Sequence, residues 1–139
     1  MNHEIAVAVT QLVHASALAN DDRDWPGLAA LYTEAGVLTR PNGQQAEGRA
    51  AIEAAYASGS PTRRTRHVCA NTIVTTDEAG RRATARTTVL VYSWEHDPDL
   101  RGLASASGPV IGEFLDEVEP TPDGWRIARR IATLAARAE

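Results

Sequence analysis

The second half of the chain is a run of strand-like segments joined by tight turns, and this feature constrains the fold most. Residues 65–76, 81–94, 109–119 and 125–134 have the composition of strands, and residues 77–80 and 121–124 that of hairpin turns. Four such strands predict an antiparallel meander. Because helical segments precede them, we expect an α+β fold in which three N-terminal helices pack on one face of a curved, cone-shaped sheet and enclose a cavity.

The first half has helical spacing of its apolar residues. A first helix is predicted over residues 3–19, and the polar run 20–24 ends it. Asp24 is placed to cap a second helix that starts near Pro26 and stops at Gly36. A short strand at 37–39 and a third helix at 48–56 follow.

The composition excludes several classes of protein. The 139 residues fit one domain, residues 1–139, and the net charge of −4 argues against a nucleic-acid or anionic-membrane partner. No apolar run reaches the roughly 20 residues of a membrane span, and the start of the chain lacks the pattern of a signal peptide. We therefore expect a cytoplasmic protein.

The reactive residue types narrow the chemistry further. All 14 basic residues are arginine, so chemistry that needs a lysine amine, such as Schiff-base catalysis, is excluded. The single cysteine, Cys69, is predicted to be a buried thiol. The four histidines form no metal-binding motif, and no dinucleotide or phosphate-loop signature is present. The prediction is a protein without cofactor or metal.

One histidine stands out. His67 opens the first long strand, and the acidic turn at 20–24 precedes it by about one helical hairpin. If an aspartate meets His67 in a pocket, the two make a general base. The alternative is a structural histidine at a strand end, with the aspartates capping helices.

Several short motifs, taken together, resemble the SnoaL-like branch of the nuclear transport factor 2-like superfamily, which contains scytalone dehydratase and dehydrochlorinases. The resemblance covers nearly the whole chain and implies a cone-shaped α+β barrel that forms a homodimer or homotrimer. The matching pieces are Asp24-Trp25 before residues 28–32, Gly48-Arg49 before Ile52, Thr65-Arg66-His67 with Asn71, Gly112-x-Phe114-x-Asp116, and residues 123–127 with Arg130.

The resemblance also implies catalytic residues. In this branch an aspartate before the second helix pairs with a histidine that opens the first long strand, and these positions fall on Asp21 and His67. If the alignment were shifted by one residue, the aspartate would be Asp22, and Asp24 is a further candidate. Arg130 matches an arginine that the dehydrochlorinase uses near its leaving group.

The other candidate residues follow from strand alternation and from residue type. Regular alternation puts Asn71 on the face of His67, where it would orient the ring or the substrate if that face lines the cavity. Phe114 would line the cavity if its face of the third strand points inward. Trp25, Tyr32 and Tyr56 are expected in the core or the cavity wall, and either tyrosine is a candidate donor to a substrate carbonyl. Asp116 and Arg130 form either an ion pair between neighbouring strands or a substrate contact.

The leading hypothesis is a cofactor-independent lyase, cyclase or isomerase for a small, apolar, oxygenated substrate such as a polyketide, terpenoid or aromatic catabolite. The first alternative is a non-catalytic assembly subunit similar to the small subunit of ring-hydroxylating dioxygenases. The second is an epoxide hydrolase of the limonene type, for which Arg40, Arg86, Asp22 and Asp116 supply the residue types.

Overall fold

The computed structural model describes residues 2–138, in which three helices precede most of a six-stranded sheet. The helices are α1 (His3–Asp21), α2 (Trp25–Ala30) and α3 (Arg49–Ala57). The strands are β1 (Tyr32–Thr39), β2 (Gln45–Glu47), β3 (Arg63–Thr76), β4 (Ala83–Glu95), β5 (Ser107–Thr121) and β6 (Gly124–Arg137). The predicted α+β class with N-terminal helices packed on a curved sheet is confirmed.

The sheet is an open antiparallel meander extended at one edge. Its strand order is β2-β1-β6-β5-β4-β3, so the four long strands β3 to β6 are neighbours in chain order, as predicted. β1 continues the sheet by pairing in parallel with β6, and β2 closes a short hairpin with β1. The strand prediction missed β2 and the parallel pair, because three-residue strands and long-range pairings leave little periodicity in the sequence.

The second helix is shorter than the sequence predicts. The predicted helix runs to Gly36, whereas α2 ends at Ala30 and β1 begins at Tyr32. The backbone N–H of Ile127 donates to the carbonyl of Leu31, so pairing with β6 takes over from the helical ladder at that point. The predicted N-cap is correct, since the Asp24 carboxylate accepts from the backbone N–H of Gly27 at 3.0 Å.

A β-bulge interrupts β3 and corrects the predicted face of Asn71. Ala70 pairs with Thr88 and Ile73 with Arg86, so β3 has one extra residue between these pairs. Asn71 occupies the bulge with a φ of 54° and is exposed. Alternation is thereby reversed, and Ile73, expected on the face of His67, is 64% exposed.

A charged pair lies inside the apolar core. Asp116 on β5 and Arg130 on β6 are register partners, and Arg130 donates to both carboxylate oxygens at 2.7 and 2.8 Å. Both side chains are almost wholly buried. Burial opposes the charge on Arg130, but the Asp116 carboxylate outweighs it and raises the pKa of Arg130. Of the two readings offered by the sequence, the structure places these residues in an ion pair between strands.

Within residues 2–138 no helix combines the length and apolar character that crossing a bilayer requires.

Removing one member of this pair should destabilise the fold strongly. In Asp116→Ala the Arg130 charge stays buried without its partner, and we expect a loss of about 3–5 kcal/mol in the free energy of unfolding, measured by urea denaturation. The double substitution Asp116→Leu/Arg130→Met should recover most of that loss. A single variant as stable as wild type would contradict a desolvated pair.

Candidate active site

The structure brings His67 and Asp21 together. The Nδ1 atom of His67 lies 2.6 Å from Oδ1 of Asp21, at the junction of the end of α1 with β3. The Asp21 side chain is 1% exposed and the His67 side chain 10%. Asp22 is exposed and Asp24 caps α2, so neither alternative aspartate contacts His67. The short contact is therefore a buried carboxylate–imidazole dyad.

Asp21 is held by β3 through more than the imidazole ring. Its carboxylate also accepts from the hydroxyl of Thr65 at 2.9 Å and from the backbone N–H of His67 at 2.9 Å. Burial raises the pKa of Asp21, but the hydrogen bonds from His67 and Thr65 and the charge of His67 outweigh it, so the pKa lies below its ordinary value. Asp21 therefore stays ionised and accepts the Nδ1 proton.

The turn that carries Asp21 is a Schellman motif. The N–H of Asp24 donates to the carbonyl of Ala19, and the N–H of Arg23 to that of Asn20. Arg23 takes the left-handed position with a φ of 58°, where glycine is usual. This turn ends the helix immediately after Asp21 and directs the carboxylate towards β3.

The dyad opens on a cavity of about 240 Å³ lined by residues from α2, α3 and the long strands. His67 lines it and Asp21 lies behind the ring. With Nδ1 committed to Asp21, Nε2 is the remaining ring nitrogen of His67, and it has no hydrogen-bond partner among residues 2–138. The apolar part of the wall includes Trp25, Leu38, Tyr56, Val89, Val91 and Phe114.

Two positions on β5 shape this wall. Phe114 lines the cavity as predicted, and the guanidinium of Arg130 stacks behind its ring, 4.0 Å from the centroid. Gly112 also lines it, and a Cβ there would lie 2.6 Å from the carbonyl oxygen of Thr133. A side chain at Gly112 would therefore push β5 away from β6.

The aromatic candidates form a connected group. Tyr56 lines the cavity, stacks on Trp25 with ring centroids 6.2 Å apart, and its hydroxyl lies 3.1 Å from that of Tyr32. Tyr32 is fully buried behind Tyr56. Burial and the neighbouring Tyr56 raise the pKa of Tyr32 well above 10, so its hydroxyl remains protonated.

The structure does not bring every predicted residue to the cavity. Trp25, Tyr56 and Phe114 line it, whereas Asn71, Tyr32 and Arg130 do not. Tyr32 and Arg130 support lining residues from behind, and Asn71 is exposed at the bulge. Burial raises the pKa of the Cys69 thiol, which keeps it in the unreactive protonated form.

Sequence reasoning assigned no site role to four polar residues that line the cavity, Asn20, Arg23, Arg63 and Thr65, and Arg40 was considered only for an epoxide hydrolase. Alternation from His67 puts Thr65 and Arg63 on the same face and could have found them. Arg40 follows β1, whose place beside β6 is a long-range pairing without a local signal.

The alternative sets of site residues do not assemble. Of the four residues considered for an epoxide hydrolase, only Arg40 lines the cavity. Asp116 is bound to Arg130, Arg86 pairs with Glu113, and Asp22 is exposed. Among residues 2–138, no three side chains of His, Cys, Asp or Glu are grouped as a metal site would require.

The family follows from the comparison of the whole sequence. A family model of the SnoaL-like domain matches residues 3–131, and the chain therefore belongs to the SnoaL-like domain family. The predicted relationship is confirmed. The sequence matches no curated protein at a significant level.

Solved structures establish the same fold. A protein from Novosphingobium aromaticivorans, named provisionally as an aromatic ring hydroxylase, is 23% identical and superposes with a TM-score of 0.82 over 99% of this chain and 94% of its own. A provisionally named scytalone dehydratase from the same organism is 21% identical, with a TM-score of 0.81 over 99% and 88%. ActVI-ORFA from Streptomyces coelicolor is 22% identical, with a TM-score of 0.76 over 94% and 97%.

Asp21 should make stability depend on pH in the acid range. Because its pKa is lowered in the folded state, Asp21 stabilises the fold above the unfolded value near 3.8, and this stabilisation is lost as the pH falls through the folded value. We expect Asp21→Asn to lower the free energy of unfolding by about 1–3 kcal/mol at pH 7. The difference from wild type should shrink below about pH 4.

Urea denaturation of both proteins between pH 2.5 and 7 measures this effect. The matched control is Asp22→Asn, the neighbouring exposed aspartate, which should stay close to wild type. A difference between Asp21→Asn and wild type that is constant over this pH range would contradict the assignment.

Proposed function

We propose that this protein is a cofactor-independent lyase, cyclase or isomerase that removes a proton next to a carbonyl group. The observation that carries the proposal is the dyad itself, an imidazole at a cavity wall with its Nδ1 atom 2.6 Å from a buried carboxylate. A histidine that only made the surface polar could lie exposed to solvent and would not need a buried carboxylate partner. The dyad resembles the base and its orienting group in many enzymes.

The first step is a proton transfer to His67. The Nε2 atom takes the proton from the substrate carbon, and the electron pair of that C–H bond moves towards the carbonyl to give an enolate. Asp21 keeps Nδ1 protonated and stabilises the imidazolium. The proton then returns to a leaving hydroxyl in an elimination, or to another carbon in an isomerisation. In a cyclisation the enolate carbon attacks a second carbonyl, whose oxygen takes the proton.

Tyr56 is the proposed donor to the developing oxyanion. Its hydroxyl belongs to a lining residue and contacts the hydroxyl of Tyr32. When Tyr32, which stays protonated, donates to Tyr56, the Tyr56 proton is directed to the cavity. A donor fixed in this way stabilises charge that develops in the transition state.

The cavity supports a small, largely apolar substrate. Its volume of about 240 Å³ and its aromatic and aliphatic wall suit a molecule of one or two rings. The scytalone dehydratase name of one structural relative agrees with such chemistry. An assembly role, which the aromatic ring hydroxylase name of another relative raises, gives no reason for a dyad inside a cavity.

Deuterium exchange tests the proton transfer without knowledge of the natural substrate. We expect wild type in D₂O to accelerate exchange at the acidic carbon of at least one small cyclic ketone, such as 2-tetralone, followed by NMR. His67→Gln should lose about 10²- to 10⁴-fold of that rate and keep its fold.

The control is His96→Gln, which changes an exposed histidine in the loop between β4 and β5. It should exchange at the wild-type rate. If wild type and His67→Gln exchanged the ketone equally fast, His67 would not be the base. If the protein were inactive and co-purified with a ring-hydroxylase subunit, the assembly role would be favoured.

Tyr56→Phe tests the oxyanion donor on the same ketone. We expect the maximal exchange rate to fall roughly 10²-fold, since one such donor typically contributes that much, while the ketone concentration at half-maximal rate changes little. Tyr92→Phe, a half-buried tyrosine on β4 outside the cavity lining, is the control. An unchanged rate in Tyr56→Phe would assign the carbonyl contact to another group.

A further inference from the structure

We infer that the substrate carries a carboxylate, bound at the cavity by arginine; this inference rests on the proposed function. Three arginines, Arg23, Arg40 and Arg63, line the same cavity as His67. The protein as a whole is acidic, with a net charge of −4, so this concentration of positive charge is local to the site.

These guanidinium groups have no opposing charge in the structure. Among residues 2–138 no carboxylate lies within salt-bridge distance of any of the three. Glu113 is the one acidic residue in the lining, and Arg86 already binds it at 2.7 Å. Arg23 and Arg40 are half-buried and Arg63 is exposed. A neutral substrate would leave the two half-buried charges without a counter-charge, whereas an anionic one would pair with them.

Arg23 is fixed in place before any ligand binds. Its Nη1 atom donates to the carbonyl of Arg63 at 2.9 Å and, more weakly, to that of Ser60 at 3.4 Å. Its guanidinium lies 5.3 Å from the centroid of the Trp25 ring. The remaining N–H groups of such a planar, immobilised guanidinium form a fork that matches the two oxygens of a carboxylate.

The separation of the arginines from His67 determines the orientation in which the substrate would bind. Arg63 and His67 are four residues apart on β3 with Thr65 between them, and all three line the cavity. At about 3.3 Å per residue, the two backbone positions are roughly 13 Å apart. The acidic carbon would lie at His67 and the carboxylate at the arginine end. The substrate class is therefore a small cyclic or aromatic keto acid.

Binding of two probes that differ only in charge tests the inference. The probes are 3-phenylpropanoate and 3-phenylpropanamide, with 2-phenylethyl phosphate as a second anion, and dissociation constants are measured by NMR titration. We expect wild type to prefer the carboxylate to the amide by about tenfold or more, and Arg40→Gln/Arg63→Gln to lose that preference while binding the amide unchanged. Arg23 is left intact because it also holds the carbonyls of Arg63 and Ser60.

The matched control is Arg66→Gln, on the same strand as Arg63 but exposed and outside the cavity lining. It should keep the preference for the carboxylate. The inference would be overturned if wild type bound acid and amide equally, or if the double variant kept the full preference for the acid. It would also be overturned if Arg66→Gln lost the preference to the same extent, or if wild type bound the phosphate more tightly than the carboxylate. Folding of every variant is checked by circular dichroism and thermal unfolding.

Because binding is measured without turnover, the two proposals fail separately. His67→Gln should retain the preference for the carboxylate even if His67 is not the base. Conversely, His67-dependent exchange of a neutral ketone, together with no preference for the acid, would leave the proposed function standing and remove only the carboxylate.

Discussion

The carboxylate of Asp21 is the contact on which the site depends, because it joins the helical half of the molecule to the sheet. Its oxygens accept from the Thr65 hydroxyl, the His67 backbone and the His67 ring, so one side chain fixes both where β3 begins beside α1 and how the imidazole is oriented. A buried carboxylate that accepted fewer hydrogen bonds would have a raised pKa and would become protonated more easily. The same hydrogen bonds that hold the fold at this junction therefore keep the Asp21 carboxylate ionised.

A second group of buried residues supports another part of the cavity wall. Asp116 fixes Arg130, and Arg130 stacks under Phe114, which faces the cavity. Arg130 also lies near Tyr32, the partner of Tyr56, and its charge partly offsets the rise in the pKa of Tyr32 that burial causes. Arg130, which the family pattern suggested as a substrate contact, thus lies one layer behind the wall. Buried ion pairs add little net stability over apolar residues, so a role in positioning the wall gives this pair a physical reason.

The parts of the molecule that local sequence determines were predictable, and the parts set by long-range pairing were not. Periodicity and turn chemistry predicted α1, the four long strands and the Asp24 cap. The resemblance to the family favoured Asp21 as the partner of His67 but left Asp22 and Asp24 open, and the structure shows Asp21. The bulge at Asn71 was not predictable, because only the pairing with β4 shows that β3 has one residue too many. Likewise the arginines at the cavity come from the turn after α1, the end of β1 and the start of β3, and only the folded chain brings them together.

The turn at the end of α1 contains two residues that are unfavourable there on local grounds. Asp21 places a negative charge at the negative end of the helix dipole, and Arg23 occupies a left-handed position that costs an L-residue about 1–2 kcal/mol. Lysine or arginine at the first position and glycine at the second would make a more stable helix end. Both side chains instead reach β3, Asp21 to His67 and Arg23 to the carbonyl of Arg63. Such local conflicts concentrate at functional sites, and here they coincide with the dyad and with the arginine end of the same cavity.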